Sequence, residues 1–598
     1  MAGRSARVGK AAQEMGSLSG AECGQTRGPE HAQGQRGNIF DRRLAAIAAG
    51  VAVALLVLAR YFVDRAGPTG WSWPVLMVCV LVAGAAGRAL LGHRSVSEEQ
   101  DGRPSTGVRA AVWLVLLGAA TVPHLHGLHV GFLADDFGLL RAARLASGPL
   151  DAARLAPLQI FHRPVSQLVW WLGLDLWNGS PLGYHLFSVA LHAVNTALVY
   201  LLARRYIGSV YGGAMAALLF AVHPVHTEAT LWAAAQPDLL CTAFSLSSMW
   251  CVEQYLAAPR GRRRQLALAG ALAAFLLALW SKETAVALPG VVFLRLVLES
   301  RDRRWVRALG VSAAYALPLG VYLAVRFLVL GENWLGTHGT KLIFWTAALP
   351  STPLMLTGEY FFPVHRELFR SLLSPYLWVA AVAVMAVGLL WWIRSLEFVS
   401  SRRLALYAGY VLLPAVPLSM AGLTIGVDMV NTRYAYLSSV GFALLFGEIC
   451  ARRSGSRRRS ALVGVATILV AAALSIWYVV PWRQAALLRN DVLAASVRVV
   501  ATLPDSPPPS TVFVQGVPLR HLGAPVFEAC FGIALSPLLE RRVSIQEIAP
   551  TWAALSVMSA SDLLPGEYLV SWNDESEDMV IERAGSHRVS EPMAGGPR

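Results

Sequence analysis

Apolar residues run along this chain in blocks of the length that crosses a bilayer. A spanning helix needs about 20 predominantly apolar residues. Blocks of that kind fall near 44–62, 72–91, 109–127, 184–203, 212–232, 238–257, 265–281, 284–299, 308–329, 376–394, 404–423, 434–450 and 461–481, which predicts about thirteen transmembrane helices. A fourteenth apolar segment, 342–362, is interrupted by Pro350 and Pro353 and carries Glu359. Counted as a crossing it would invert every later loop, so it is expected to be a broken or re-entrant helix on the outer side. Between the third and fourth spans lies a long loop, 128–183, of mixed character.

After Pro481 the period changes. Strand-like runs occur at 511–515, 543–548, 567–572 and 578–582, with a helical pattern near 525–539 and a Pro-rich hinge from Leu503 to Pro509. The expected organisation is a disordered cytoplasmic tail over 1–42, two extra helices in 43–108, a transmembrane core over 109–481, and a small α/β domain with a frayed tail over 482–598. The fold class is an all-α polytopic membrane protein with that extramembrane α/β appendage.

Composition supports the membrane reading. Of 598 residues 55% are hydrophobic and 15% charged, and the mean hydropathy is +0.50, too apolar for a chain with a water-facing surface. The net charge of +14 does not indicate nucleic acid, because the arginines cluster in short loops between spans. Arg204-Arg205, Arg260 with Arg262 to Arg264, Arg301 to Arg307, Arg402-Arg403 and Arg452 to Arg459 all fall on one side of the predicted topology. By the positive-inside rule that side is the cytoplasm, which places the amino terminus inside and the carboxyl-terminal region outside, periplasmic or extracellular. Lys10, Lys282 and Lys341 are the only lysines, an Arg bias of the kind seen in GC-rich bacterial genomes, so the expected location is a bacterial inner membrane. The six cysteines show neither a CxxC spacing nor a disulfide framework.

The same topology brings the chemically active side chains to the outer face. Asp135-Asp136 follows an apolar stretch directly, and adjacent carboxylates beside a bilayer are suited to base catalysis, to holding a cation or to orienting a hydroxyl; the alternative is a helix cap. Arg163, next to His162, Lys282, next to Glu283, and Arg433, next to Tyr434, each offer a cation at a membrane surface, fit for a lipid phosphate or for interfacial anchoring. His223 and His226, with Glu228 beyond them, share one helical turn; a zinc pair and a hydrogen-bonded structural pair both fit that spacing. No cofactor follows with certainty from these residues, and a divalent cation is compatible with them.

Six stretches occur together in one order: ADDFGLL at 134–140, HRPV at 162–165, YHLFSVALHAVNTAL at 184–198, AALLFAVHPVHTEATLWAAAQPDLL at 216–240, SKET at 281–284 and TRYAYLSSVGF at 432–442. This series resembles the GT-C superfamily of membrane glycosyltransferases, and especially the transmembrane and tetratricopeptide-repeat O-mannosyltransferases. The resemblance implies inverting transfer of a sugar from a polyprenyl-phosphate donor to a glycan, lipid or protein acceptor at the outer face. By carry-over, Asp135 or Asp136 acts as base, and Arg163, Lys282 and Arg433 hold the donor phosphate, with His162, His223, His226, Glu228, Glu283 and Tyr434 in support. The chain departs from the family pattern at Ser188, where the family has Asn, at Gln236, where it has Arg, at Thr432, where it has Glu, at Ser438, where it has Pro, in two extra spans before the core and in lacking the repeats. These departures leave the sugar and the acceptor open. A transporter or flippase of lipid-linked sugars would share the many spans, and a catalytically silent scaffold would be indifferent to loss of either aspartate.

Overall fold

A computed structural model describes residues 106–583, apart from 156–160, 299–304, 332–344, most of 366–391, most of 421–428, 453–456, 504–510, 540–544, 548–566 and a few single positions. The expected tail over 1–42, the first two spans, most of the span at 376–394 and the frayed end after 583 lie outside the described residues.

The helices that carry the argument are α1 (Thr106–Thr121), α2 (Asp135–Leu145), α3 (Pro149–Arg154), α4 (Pro164–Leu176), α5 (Pro181–Ile207), α6 (Val210–Val222), α7 (Thr227–Leu231), α8 (Gln236–Ala257), α9 (Arg262–Ser281), α10 (Leu288–Leu298), α11 (Trp305–Ala314), α12 (Ala316–Leu330), α13 (Trp345–Phe361), α14 (Ser401–Met420), α15 (Ser439–Arg452), α16 (Arg457–Trp477) and α17 (Val479–Thr502). Five stretches among the described residues are long and apolar enough to cross a membrane: Gly107–His129, Pro181–Ile207, Arg262–Ser281, Trp305–Leu330 and Leu462–Thr502. The protein is thus built as a multi-pass membrane protein. Its largest core cluster joins α1, α5, α6, α8, α9 and α10 through residues such as Val199, Phe220, Leu246, Phe275 and Val292.

Small residues set the closest helix approach. A Cβ on Gly447 of α15 would stand 2.3 Å from the Gly212 carbonyl oxygen of α6, so the two backbones touch where only glycine fits. The turn from α5 to α6 is equally local in origin: Gly208 takes φ 75° and its N–H caps the Arg204 carbonyl, and Ser209 then accepts the Gly212 N–H at 3.2 Å.

Several expectations change. The loop 128–183 is largely helical, folding into α2, α3 and α4. Of the segment 342–362 the described part, 345–361, is one helix, α13, which runs through Pro350 and Pro353 without a break, with Thr357 Oγ1 donating a hydrogen bond to the Pro353 carbonyl at 2.7 Å. Helix also continues beyond Pro481, where α17 follows α16 with only Tyr478 between them. The 41 residues of Leu462–Thr502 would extend about 60 Å at 1.5 Å per residue, twice the hydrocarbon thickness, so about half of that length lies beyond the membrane.

Helix α17 becomes the floor of a sheet. Strands β1 (Thr511–Gln515), β4 (Ile545–Glu547), β5 (Glu567–Asn573) and β6 (Asp578–Arg583) order as β4-β1-β5-β6, parallel except for the antiparallel β5–β6 pair. A separate hairpin joins β2 (Arg520–His521) to β3 (Ala524–Pro525). The expected helix over 525–539 shrinks to Phe531–Leu535 and one following 3-10 turn. Val512, Val514 and Val570 pack with Val492, Val499 and Trp482 of α17, and the same cluster takes in Val130, Leu133, Ala134, Leu231 and Trp232. The carboxyl-terminal sheet and the acid loop share one apolar core.

Candidate active site

The acid loop is held at nearly every backbone position. Arg489 of α17 donates to the carbonyl oxygens of Val130 and Phe132, and His185 Nε2 meets that of Gly131 at 3.0 Å. The Leu133 carbonyl accepts from Asp136 N and from Trp232 Nε1, and Ala134 N donates to the Val526 carbonyl at 2.9 Å. Ala134 itself has φ 44° and ψ −116°, a region costly for a residue with a Cβ. The surrounding bonds and complete burial hold it there.

The strained turn gives the two aspartates opposite environments. Asp136 points inward and is 0% exposed; its Oδ2 accepts Leu133 N at 2.8 Å and its Oδ1 accepts Ala234 N at 2.6 Å. Burial pushes its carboxyl well above the usual range, against the pull of those two N–H groups. Asp135, at the first residue of α2, is partly exposed, and its carboxylate has no hydrogen bond among the described residues. Burial raises its pKa too, and the guanidinium groups of Arg433, Arg520 and Arg163 oppose the rise.

Each cation anticipated from the sequence is already held by a carboxylate. Arg163 Nε and Nη2 reach Glu283 Oε2 at 3.2 and 2.8 Å, and Arg326 Nη1 reaches Glu283 Oε1 at 3.1 Å. Burial alone would raise the Glu283 carboxyl, but Arg163 and Arg326 hold it down at about 2. Lys282 Nζ contacts Asp238 Oδ1 and Oδ2 at 2.5 and 2.6 Å and stands 4.7 Å from the Tyr434 ring centroid. Arg433 pairs through Nη1 with Glu228 Oε1 at 2.5 Å, donates its backbone N–H to Oε2 at 3.0 Å and lies over the Trp232 ring. Thr432 Oγ1 also donates to Glu228. Tyr434 receives Arg433 Nη2 at 3.2 Å. The result is a field of alternating charge with Asp135 at its margin and one carboxylate shared between two arginines.

The histidines are placed differently. His162 is buried, burial lowers its pKa, and its Nδ1 has no partner among the described residues. His223 Nε2 meets the Tyr360 carbonyl at 3.1 Å, and His226 Nε2 meets Ser439 Oγ at 2.8 Å. Their ring centroids are 6.0 Å apart, and among the described residues no cluster of three His, Cys, Asp or Glu could hold a metal. Of the two readings of this pair, the geometry is that of separate hydrogen bonds fastening the α6–α7 turn to α13 and α15. Ser188 and Gln236, two of the departures in sequence, touch: Gln236 Nε2 donates to Ser188 Oγ at 3.3 Å and to the Tyr184 carbonyl at 3.0 Å.

Sequence reasoning missed Asp238, Arg326, Arg489 and Arg520. Arg326 had a signal, a lone arginine inside an apolar block, and Asp238 sat within the quoted QPDLL. Arg489 and Arg520 had none.

With this geometry in place, comparison with known proteins shows what the chain is similar to. A family model for dolichyl-phosphate-mannose-protein mannosyltransferases matches residues 161–328, which takes in Arg163, Lys282, Glu283 and Arg326 but neither the aspartate pair nor Arg433. The chain resembles the GT-C membrane glycosyltransferases. More particularly, it is similar to protein O-mannosyl-transferases: F38B6.6 of Caenorhabditis elegans at 33% identity over 178 residues (26% of this chain, 24% of that protein), and Tmtc1 and Tmtc2 of Drosophila melanogaster at 38% over 145 residues (21% and 16%) and 36% over 182 residues (28% and 19%). The match thus spans about a quarter or less of each relative's length. Among solved structures, ArnT from Cupriavidus metallidurans bound to undecaprenyl phosphate aligns over 79% of this chain and 94% of its own, at 14% identity and a TM-score of 0.43.

Proposed function

We propose that the protein is a membrane glycosyltransferase that moves a sugar from a polyprenyl-phosphate carrier to an acceptor hydroxyl at the outer face of the membrane, with inversion. The observation that carries this reading is Asp135: a partly buried carboxylate without a hydrogen bond of its own, facing the fields of Arg433, Arg520 and Arg163. Of the two aspartates it is the one whose oxygens remain available.

In the proposed reaction the acceptor O–H gives its proton to Asp135 as its oxygen bonds to the anomeric carbon. The bond from that carbon to the phosphate oxygen breaks, and the electron pair leaves with the phosphate. The departing carrier phosphate gains negative charge, which Arg163, Lys282 and Arg433 are positioned to stabilise. Their carboxylate partners keep these cations oriented before donor binds, and the Arg163–Glu283–Arg326 group retains excess positive charge. A phosphate leaving group needs no second acid. Asp136 supports the turn and takes no proton from substrate. The names of the relatives make mannose the first sugar to try. Glycan, lipid and protein hydroxyls are the acceptor classes.

The test is release of free polyprenyl phosphate by protein in lipid, with a panel of polyprenyl-phosphate sugars and an envelope extract as acceptor. Wild type is expected to release carrier and Asp135→Asn to lose about 100-fold or more, the usual worth of a general base. Turnover unchanged in Asp135→Asn, or carrier crossing the bilayer with its sugar intact, would overturn the reading, the second in favour of a flippase.

A further inference from the structure

Four arginines gather at the end of the α8–α9 hairpin remote from Asp135, and they are treated in two ways. Arg205 and Arg295 converge on Glu253, which is 1% exposed: Arg295 Nε and Nη2 reach it at 2.6 and 2.8 Å, Arg205 Nε at 3.3 Å. Arg264, in the first turn of α9, and Arg307, in the first turn of α11, converge instead on the ring of Tyr255. Their guanidinium carbons stand 4.3 and 5.2 Å from its centroid, and Arg264 Nη2 donates to the Tyr255 hydroxyl at 3.0 Å. Neither pairs with a carboxylate among the described residues, and the buried Nε of Arg307 has no acceptor.

An aromatic face attracts each cation but neutralises neither, and two guanidinium groups on one ring repel each other. Exposed Arg260, Arg262 and Arg263 add charge of the same sign. Among the described residues the arrangement lacks an anion.

Its position says which kind. Helix α9 has 20 residues, about 30 Å from Arg262 to the Lys282 that follows its last turn, which is the hydrocarbon thickness of a bilayer. Lys282 and Asp238 stand at one end of the hairpin, Tyr255 and Arg264 at the other. Around the arginines, Leu266, Trp305, Val306 and Leu309 are 54–62% exposed, a shelf of large apolar side chains beside the cationic pair. A soluble anion has no use for such a shelf, whereas a lipid lays its acyl chains there.

We propose that Arg264, Arg307 and Tyr255 bind the phosphate of an anionic lipid headgroup in the leaflet opposite the acid loop. The site is independent of the glycosyltransfer reading, since none of its residues belongs to that site.

The test uses full-length protein in zwitterionic detergent micelles containing phosphatidylglycerol or phosphatidylcholine, with bound lipid counted by native mass spectrometry. An arginine at an anionic membrane surface is worth roughly fivefold in affinity. Wild type is expected to retain phosphatidylglycerol over phosphatidylcholine, Arg307→Gln to lose roughly fivefold of that retention and Arg264→Gln/Arg307→Gln roughly thirtyfold. Arg262→Gln/Arg263→Gln, which removes exposed charge without touching the Tyr255 ring, is expected to lose clearly less than the Arg264/Arg307 variant. Melting temperature in phosphatidylcholine controls for folding, and the single variant stands if the double one unfolds. Equal retention by wild type and Arg307→Gln, an equal loss in the Arg262/Arg263 variant, or full displacement by soluble glycerol phosphate would each overturn the assignment.

Discussion

Asp136 Oδ1 accepts the backbone N–H of Ala234, 98 positions along the chain, at 2.6 Å. The adjacent Asp135 has no such bond, so two neighbouring carboxylates answer different questions. Asp136→Asn replaces one acceptor with an amide and leaves a buried N–H unsatisfied, at a cost of about 1–3 kcal/mol. A lower melting temperature accompanied by partial loss of turnover is expected. Asp135→Asn is expected to melt like wild type and lose turnover. Calorimetry run beside the carrier-release assay separates them; identical behaviour of the two variants would remove the division of labour.

Arg489 tests how far the carboxyl-terminal helix governs that turn. Its guanidinium bridges the Val130 and Phe132 carbonyls, whereas lysine offers one ammonium that cannot span both. Arg489→Lys and Arg489→Gln are expected to speed amide exchange over 130–137 and to lower kcat more than KM changes. Exchange unaltered in both would show that His185 and the Val526 carbonyl suffice.

The sequence reading and the structure part at places with a physical cause. Long apolar helices such as Pro181–Ile207 and Arg262–Ser281, and strands such as Thr511–Gln515 and Glu567–Asn573, follow from local periodicity and were legible. Unlike Asp238, Arg326, Arg489 and Arg520, the candidates Asp135, Arg163, Lys282 and Arg433 were legible from their position at the ends of apolar blocks. Their pairing was not, because Arg163 meets Glu283 across 120 positions and Arg433 meets Glu228 across 205, and local pattern carries no such range. The same holds for Ala134: its strained φ comes from bonds to Val526 and from packing against a sheet nearly 400 residues away.

Glu283 sets a pH window for stability. Its folded pKa of about 2 lies below the ordinary 4.5 because of Arg163 and Arg326, after burial is overcome. A depressed carboxylate contributes stability that is present above about 4.5 and is lost as pH falls toward 2. Wild type is expected to lose melting temperature across that window and Glu283→Gln to show a shallower slope. Equal slopes would remove Glu283 as the source.

Asp135 runs the other way. Its raised pKa means that its carboxylate forms only above the usual range, so with Asp135 as the proposed base the acidic limb of the kcat profile is expected there, and absent from the residual activity of Asp135→Asn. A limb at ordinary carboxylate pH in wild type would move the proton acceptor elsewhere.

The Lys282–Asp238 pair separates scaffold from chemistry. Both side chains are buried, and removing one partner strands the other charge, at about 3–5 kcal/mol, whereas replacing both by apolar residues is often close to neutral. Lys282→Met alone is therefore expected to melt well below wild type, as is Asp238→Leu, and the double variant to recover most of that loss. If Lys282 also meets the departing phosphate, the recovered double variant remains deficient in turnover and in binding of polyprenyl phosphate. A double variant that regains both stability and turnover would make the pair purely structural and leave the phosphate to Arg163 and Arg433.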